Sequence, residues 1–399
     1  MDVLAGGGVT SARGFRAGAV AAGIKKNGAL DLCIVWSDQP AAAAGVFTQN
    51  KVRAAPVQLS EQRVRQGTAR GVVVNAGNAN ACTADGGMAN AKEMARLTAN
   101  KLGAREDEIL VASTGVIGVQ LPMDRVREGI GRIELSAQAG ADAARAIMTT
   151  DLRPKERAVR LRLGDITITV GGMSKGSGMI HPNMATLLAF ITTDAAVEPS
   201  LLQAALKEAA DVSFNMISVD GDTSTNDTLI ALANGVAGHA PIRAGTPEAA
   251  RFQEALNDVA IDLAKAIARD GEGASKLIEV LVEGAPSASD ARLAARSVIS
   301  SSLFKAAVYG SDPNWGRILC ALGYSGADFD PLRADVSIGK VWLMRDGQIQ
   351  AFDRAAAVAE MVGPDVFVGV HLHAGPAQAR AWGCDLTEKY VDINGRYTT

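Results

Sequence analysis

Residues 173–190 read MSKGSGMIHPNMATLLAF. The first half is a polar, glycine-rich turn that carries one lysine, Lys175. The second half runs into an apolar segment from Thr186 to Ile191 with the composition of a buried strand. Thr186 stands at the junction, directly behind the small residue Ala185. Taken alone, a threonine in that place is an ordinary first residue of a strand. The segment before it, Ala158 to Leu163 and Ile166 to Val170, alternates in character on either side of Gly164-Asp165. A hairpin is expected there, delivering the chain to Lys175 and Thr186.

The surrounding chain narrows the classes of function. Its 399 residues exceed what one small core needs, so two domains or lobes are expected. Hydrophobic residues make up 48% and charged residues 21%, as in a folded globular protein rather than a disordered one. The net charge of −3 and the absence of a polybasic block argue against nucleic acid or an anionic membrane surface as partner. Aromatics at 4% also argue against a base-stacking surface. No run approaches the ~20 apolar residues of a membrane helix, and residues 1–10 do not read as a signal peptide. Cys33, Cys82, Cys320 and Cys384 are scattered without a CxxC pair, which suggests buried free thiols and a reducing cytoplasm.

Leu30 to Trp36 and Gly71 to Asn75 read as strands, and a further strand is expected soon after Lys51. The run Asn75 to Thr83 is a loop of Asn, Gly and Ala, a tight turn before it is an active-site wall. Ala89 to Leu102 reads as a helix. Ile109 to Ser113 is a strand ending at Thr114-Gly115, where exposed backbone N–H groups would suit an oxyanion, although a turn is the ordinary explanation of such a pair. A helix around Ser136 to Ala146 precedes Met148-Thr149-Thr150-Asp151. Leu201 to Val212 is a helix, Met216 to Val219 a short strand and Leu229 to Leu232 another. The acidic loop Asp220 to Thr228 between the last two lacks the spacing and terminal Glu of an EF-hand.

Thr246-Pro247-Glu248 is a helix start, and Phe252, Leu256, Val259, Leu263 and Ile267 form its apolar stripe. Leu277 to Val282 is a strand, Ser289 to Ala307 one long helix, and the last eighty residues mainly strands. His371 and His373 point to one face of the strand around Val366 to Leu372. No third metal ligand stands nearby in sequence, so ordinary packing is expected and no metal. No nucleotide-phosphate motif occurs. Strands and helices without regular βαβ alternation favour layered α+β architecture over a doubly wound sheet.

Several of these stretches together resemble the ornithine acetyltransferases, the self-cleaving enzymes of arginine biosynthesis. The most specific is Lys175 to Phe190. Supporting stretches are Gly45 to Asn50, Asn75 to Thr83, Ser113 to Gly118, Asp220 to Thr228, Gly310 to Arg317 and Ile393 to Thr399. The resemblance covers essentially the whole chain. It implies an N-terminal-nucleophile-like fold of layered sheets between helices. It also implies cleavage at Ala185–Thr186 into an alpha fragment, residues 1–185, and a beta fragment, residues 186–399. The two stay together, in an alpha2beta2 assembly.

Thr186 is then the nucleophile, with Thr114 and Gly115 at the oxyanion. Lys175, Glu272, Asn394, the C-terminal Thr399 and a threonine of the Thr149-Thr150 pair, with Thr149 favoured, contact substrate.

Chemistry makes these roles cohere. A threonine hydroxyl is a weak nucleophile that needs an adjacent base. Cleavage would give Thr186 its own α-amine, with a pKa of roughly 7.7–8.0, suited to general base work. No histidine is then required, in a chain with four, of which only His181 lies near. Lys175 suits a substrate carboxylate and Glu272 an ammonium. The expected reaction moves acetyl from N-acetylornithine to glutamate without a cofactor, with acetyl-CoA as an optional co-substrate. The alternatives are a self-cleaving amidohydrolase or aminopeptidase using the same threonine, and a binding protein in which cleavage is only maturation.

Overall fold

The computed structural model describes residues 1–181 and 187–396. Ala185, Thr186 and Thr399 therefore lie outside the described residues. The chain forms two compact units. The first comprises Met1–Gly176, Pro182–Phe214 and Thr223–Leu263; the second comprises Ser177–His181, Asn215–Asp222 and Ala264–Thr399.

The first unit is built on a mixed sheet. Along its path the order is Asp2–Val3, Lys155–Leu163, Ile166–Lys175, Leu188–Thr193, Thr228–Ala233, Leu32–Phe47, Thr68–Asn78 and Ile109–Val116. Phe15–Val20 also pairs with Leu32–Phe47. Both faces are buried, as the alternation of a strand requires. Leu32, Ile34 and Trp36 enter one core with Met94, Ala95, Val126 and Ile130. Cys33 and Val35 enter the other with Ala143, Ala144 and Ile147.

The expected hairpin is present, with Lys155–Leu163 antiparallel to Ile166–Lys175. Its second strand pairs antiparallel with Leu188–Thr193, Lys175 opposite Leu188. The strands before and after the expected cleavage point are thus hydrogen-bonded neighbours in one sheet.

The second unit carries its own sheet, in the order Gln348–Ile349, Val341–Arg345, Asp335–Ile338, Asp365–His371, Leu277–Ala285, Ala377–Cys384 and Ile217–Ser218. The helix Ala288–Ser300 packs on the strands Leu277–Ala285 and Ala377–Cys384. The architecture is α+β, with sheets layered against helices.

Several local expectations need correction. Residues after Lys51 form a helix, Ala55–Val64, rather than a strand. Pro56 sits in its first turn, and the buried Val57, Ser60 and Val64 recur at helical spacing. The expected long helix from Ser289 to Ala307 is two helices, Ala288–Ser300 and Ser302–Tyr309. Ser301 leaves the helical conformation, and its hydroxyl accepts the N–H of Phe304 to cap the second.

Helices Arg354–Val362 and Glu388–Arg396 interrupt the strand-rich C-terminal region. Met123–Arg132 is a helix with no counterpart among the expected elements. Cys33 and Cys384 are buried, but Cys82 and Cys320 are exposed. Among the described residues no helix is long and apolar enough to cross a membrane.

Candidate active site

In the first unit, Thr114 and Gly115 lie near the end of the strand Ile109–Val116, opposite Ala76 and Gly77 of Thr68–Asn78. Gly115 has φ +133°, and a Cβ there would stand 2.3 Å from the Gly77 carbonyl carbon. Only glycine tolerates both the dihedral and the contact. The two backbones come together at this point because neither residue has a side chain.

The Asn-rich loop beside it is braced by its own amides. Asn75 donates to the Asn78 carbonyl at 2.8 Å, and Ser113 Oγ donates to Asn75 Oδ1 at 2.6 Å. Asn226 donates to the carbonyls of Ala79 and Ser113, at 2.6 and 2.8 Å. These buried polar groups fix the strand ends that present Thr114.

Lys175 ends the strand Ile166–Lys175 and is buried. Its ammonium donates to Thr114 Oγ1 at 3.4 Å, which brings two of the expected site residues together. The partner that organises them was not legible in the sequence. Asp151 Oδ1 accepts from Lys155 Nζ at 2.6 Å and from the Gly176 N–H at 2.7 Å. Its Oδ2 accepts from the Thr149 N–H at 3.0 Å. One carboxylate thereby ties the Thr149-Thr150 turn to the residue after Lys175. Burial opposes its ionisation, but Lys175 and Lys155 outweigh that and hold it at about 2. Thr149 and Thr150 are both half-buried.

Asp227 is a second residue missed at first reading. It is fully enclosed, and burial raises its pKa well above the carboxylate range against hydrogen bonds from Ser224 and the backbone of Leu187. Its Oδ2 has no hydrogen-bond partner among the described residues. The signal available in sequence was its place in the Asp220 to Thr228 stretch, but nothing there separates it from Asp220 or Asp222.

In the second unit, Glu272 and Asn394 meet. Asn394 Nδ2 donates to Glu272 Oε2 at 2.8 Å. The Glu272 carboxylate lies over Gly178, where a Cβ would come within 2.4 Å of it. Gly273, at φ +71°, lets the helix Glu388–Arg396 approach, since a Cβ there would stand 2.6 Å from the Tyr390 nitrogen. Small residues flanking Glu272 thus make room for its partner. Asp220 is committed to structure: its oxygens accept the N–H groups of Met179 and Ile180 at 2.6 and 2.8 Å. This clamps the turn that leads to His181.

His181 Nδ1 lies 3.1 Å from Ser218 Oγ, and its Nε2 lies 3.1 Å from an Arg296 nitrogen. Burial first, and then Arg296, lower its pKa to about 4, so the ring is neutral at working pH. With Arg296 donating to Nε2, that nitrogen's lone pair is engaged.

The model of the ArgJ family matches residues 16–399. The chain belongs to the ArgJ family. A relative from Symbiobacterium thermophilum, named arginine biosynthesis bifunctional protein ArgJ, is 57% identical over 403 residues, covering 100% of both chains. One of the same name from Dehalococcoides mccartyi is 51% identical over 401 residues, covering 100% of this chain and 99% of its own. A crystal structure of the protein so named from Bacillus halodurans is 44% identical with a TM-score of 0.51. It matches 52% of this chain and 98% of its own. ArgJ membership thus rests on the length of the chain rather than on the Lys175 to Phe190 segment alone.

Proposed function

We propose that the chain is an acetyltransferase of arginine biosynthesis that moves the acetyl group of N2-acetyl-L-ornithine to L-glutamate through an acetyl-Thr186 intermediate. The observation that carries the reading is family membership over residues 16–399, with Lys175 held beside Thr114 by the sheet. After cleavage at Ala185–Thr186 the Thr186 amine takes the proton of its own hydroxyl. The hydroxyl oxygen then attacks the acetyl carbonyl. Thr114 and Gly115 stabilise the oxyanion, and ornithine leaves with the proton from the amine. Glutamate attacks the acetyl ester and departs as N-acetylglutamate.

Lys175 takes a substrate carboxylate and Glu272, held by Asn394, an ammonium. Thr149 and Thr399 complete the substrate contacts. No cofactor takes part, and acetyl-CoA serves as a second donor in cytoplasm. The alpha fragment, 1–185, and beta fragment, 186–399, stay paired in an alpha2beta2 assembly. Two facts support that pairing. The strands Ile166–Lys175 and Leu188–Thr193, one from each fragment, are neighbours in one sheet. The solved relative's chain is about half as long as this one, the size of one fragment.

The experiment is Thr186→Ala against wild type, read by denaturing gel, N-terminal sequencing and acetyl transfer to glutamate. Wild type should run as two fragments and transfer acetyl, while the variant stays full length, folded and inactive. Wild-type protein that remains full length yet transfers acetyl would sink the mechanism. Release of the acetyl group to water in preference to glutamate would instead identify a hydrolase.

A further inference from the structure

We propose that Asp335, His371 and His373 form a binding site for a divalent first-row transition cation, zinc foremost. All three belong to the second unit. Sequence shows only the two histidines, two residues apart; Asp335, 36 positions before His371, is supplied by sheet pairing. The strand Asp335–Ile338 runs antiparallel to Asp365–His371, with Asp335 directly opposite His371. His371 ends the strand Asp365–His371, on the face opposite the buried Val370; His373 lies just beyond it at φ +52°, a left-handed turn that sets its ring against that of His371.

The ring centroids are 4.0 Å apart, and one ligand atom from each of the three side chains lies within 4.8 Å of the others. All three residues are half-buried, so the cluster is open to a solute.

The surroundings hold the donors in place. Asp335 Oδ2 lies 2.9 Å from His373 Nε2, while its Oδ1 accepts the Asp346 N–H at 2.7 Å. The His371 ring lies against Gly284, where φ is +71° and a Cβ would come within 2.6 Å of the ring. A side chain at position 284 would displace it. His371 Nδ1 accepts the His373 N–H at 3.2 Å, a long hydrogen bond that fixes the ring plane.

A tetrahedral zinc with bonds of about 2.0–2.1 Å needs its donors roughly 3.3 Å apart. The donor atoms, within 4.8 Å of one another, would have to close by up to about 1.5 Å to reach that spacing. Two imidazoles and one carboxylate leave a fourth position for water, the donor set of zinc and of non-haem iron sites rather than of calcium or magnesium. Bound there, the cation clips the strand Asp335–Ile338 to the end of Asp365–His371.

The test uses the full-length chain without a histidine tag, stripped with chelator and titrated with zinc chloride by calorimetry. Cobalt(II) is followed in parallel by its visible absorption. One equivalent should bind per chain. His371→Asn and His373→Asn should each weaken binding by at least about 100-fold, beyond the 10–100-fold of an outer-sphere change. A Cys82→Ser/Cys320→Ser variant should bind like wild type, which excludes the exposed thiols. Zinc should raise the melting temperature of wild type and leave that of the double histidine variant unmoved. Absence of saturable binding, or binding that survives the double histidine variant, overturns the proposal.

Discussion

Asp151 and Asp227 are both buried in the first unit, and both feel Lys175, yet they take opposite states. Asp151 is held ionised, at about 2, while Asp227 is pushed toward its neutral form. Burial is common to both and raises both. The difference lies in what touches them. Asp151 has an ammonium at 2.6 Å and two backbone N–H groups. Among the described residues Asp227 has hydrogen bonds but no cation in direct contact, and one of its oxygens is unmatched. A charge in a low-dielectric interior persists only when a partner of opposite sign meets it. One aspartate therefore locks the Thr149 turn to Lys175 and Gly176. The other places an acid that burial pushes toward its neutral form against the backbone of Leu187, the residue after the proposed nucleophile.

The largest effect should come from removing the charge. Asp151→Asn removes the carboxylate that meets Lys155 and lies near Lys175 and should destabilise the fold by about 3–5 kcal/mol, measured by urea denaturation at pH 7. It should also change the acid limb of stability. The folded pKa is about 2, below the unfolded value of about 3.9. The contribution is present above about pH 4 and is lost as pH falls toward 2, on the order of 2–3 kcal/mol. Asp151→Asn should flatten that limb. A variant as stable as wild type, with the same acid limb, would break the comparison.

A carboxylate in neither situation sharpens it. Among the described residues Glu272 meets the Asn394 amide rather than a cation, which leaves it available to a substrate ammonium. Glu272→Gln should raise KM for acetylornithine and glutamate by about 10–100-fold, the value of a hydrogen bond to a charged group. Self-cleavage should be little altered. An unchanged KM for both substrates would remove Glu272 from the site.

Asp227→Asn should cost under about 1 kcal/mol at the acid end, where burial keeps the replaced group uncharged. The sign of its pH dependence is opposite to that of Asp151. A raised folded pKa contributes stability that is full below the unfolded value and lost as pH rises through the folded one. Relative to wild type, Asp227→Asn should therefore gain stability between pH 5 and pH 8. A relative stability that stays constant over that range would show Asp227 to be ionised already.

The smallest effect belongs to His181. Its ring is neutral down to about pH 4, well below the acid limb expected of the Thr186 amine, near pH 8. His181→Gln should leave the midpoint of that limb of acetyl transfer in place. A limb that disappears with the histidine would make His181 the base.

Much of the molecule was legible locally. The Thr246-Pro247 start carries a real cap, with Thr246 Oγ1 accepting the Ala249 N–H, because capping involves only residues three apart. The strand runs around Ile34, Val73 and Leu110 followed from β-branched and apolar composition. The Lys175 to Phe190 segment, together with Thr114, Gly115, Glu272 and Asn394, named the proposed site by motif. The structure then brought Lys175 to Thr114 and Asn394 to Glu272.

Tertiary structure alone decided the rest. Whether residues 55–64 coil or extend depended on which face found a core. Asp151 reads as one acid among many until Gly176, 25 residues on, gives it an N–H. Asp335 becomes a partner of His373 only through strand pairing that spans 38 positions. Sequence reports spacing along the chain, whereas charge state and donor geometry depend on groups that only folding brings within a few ångströms.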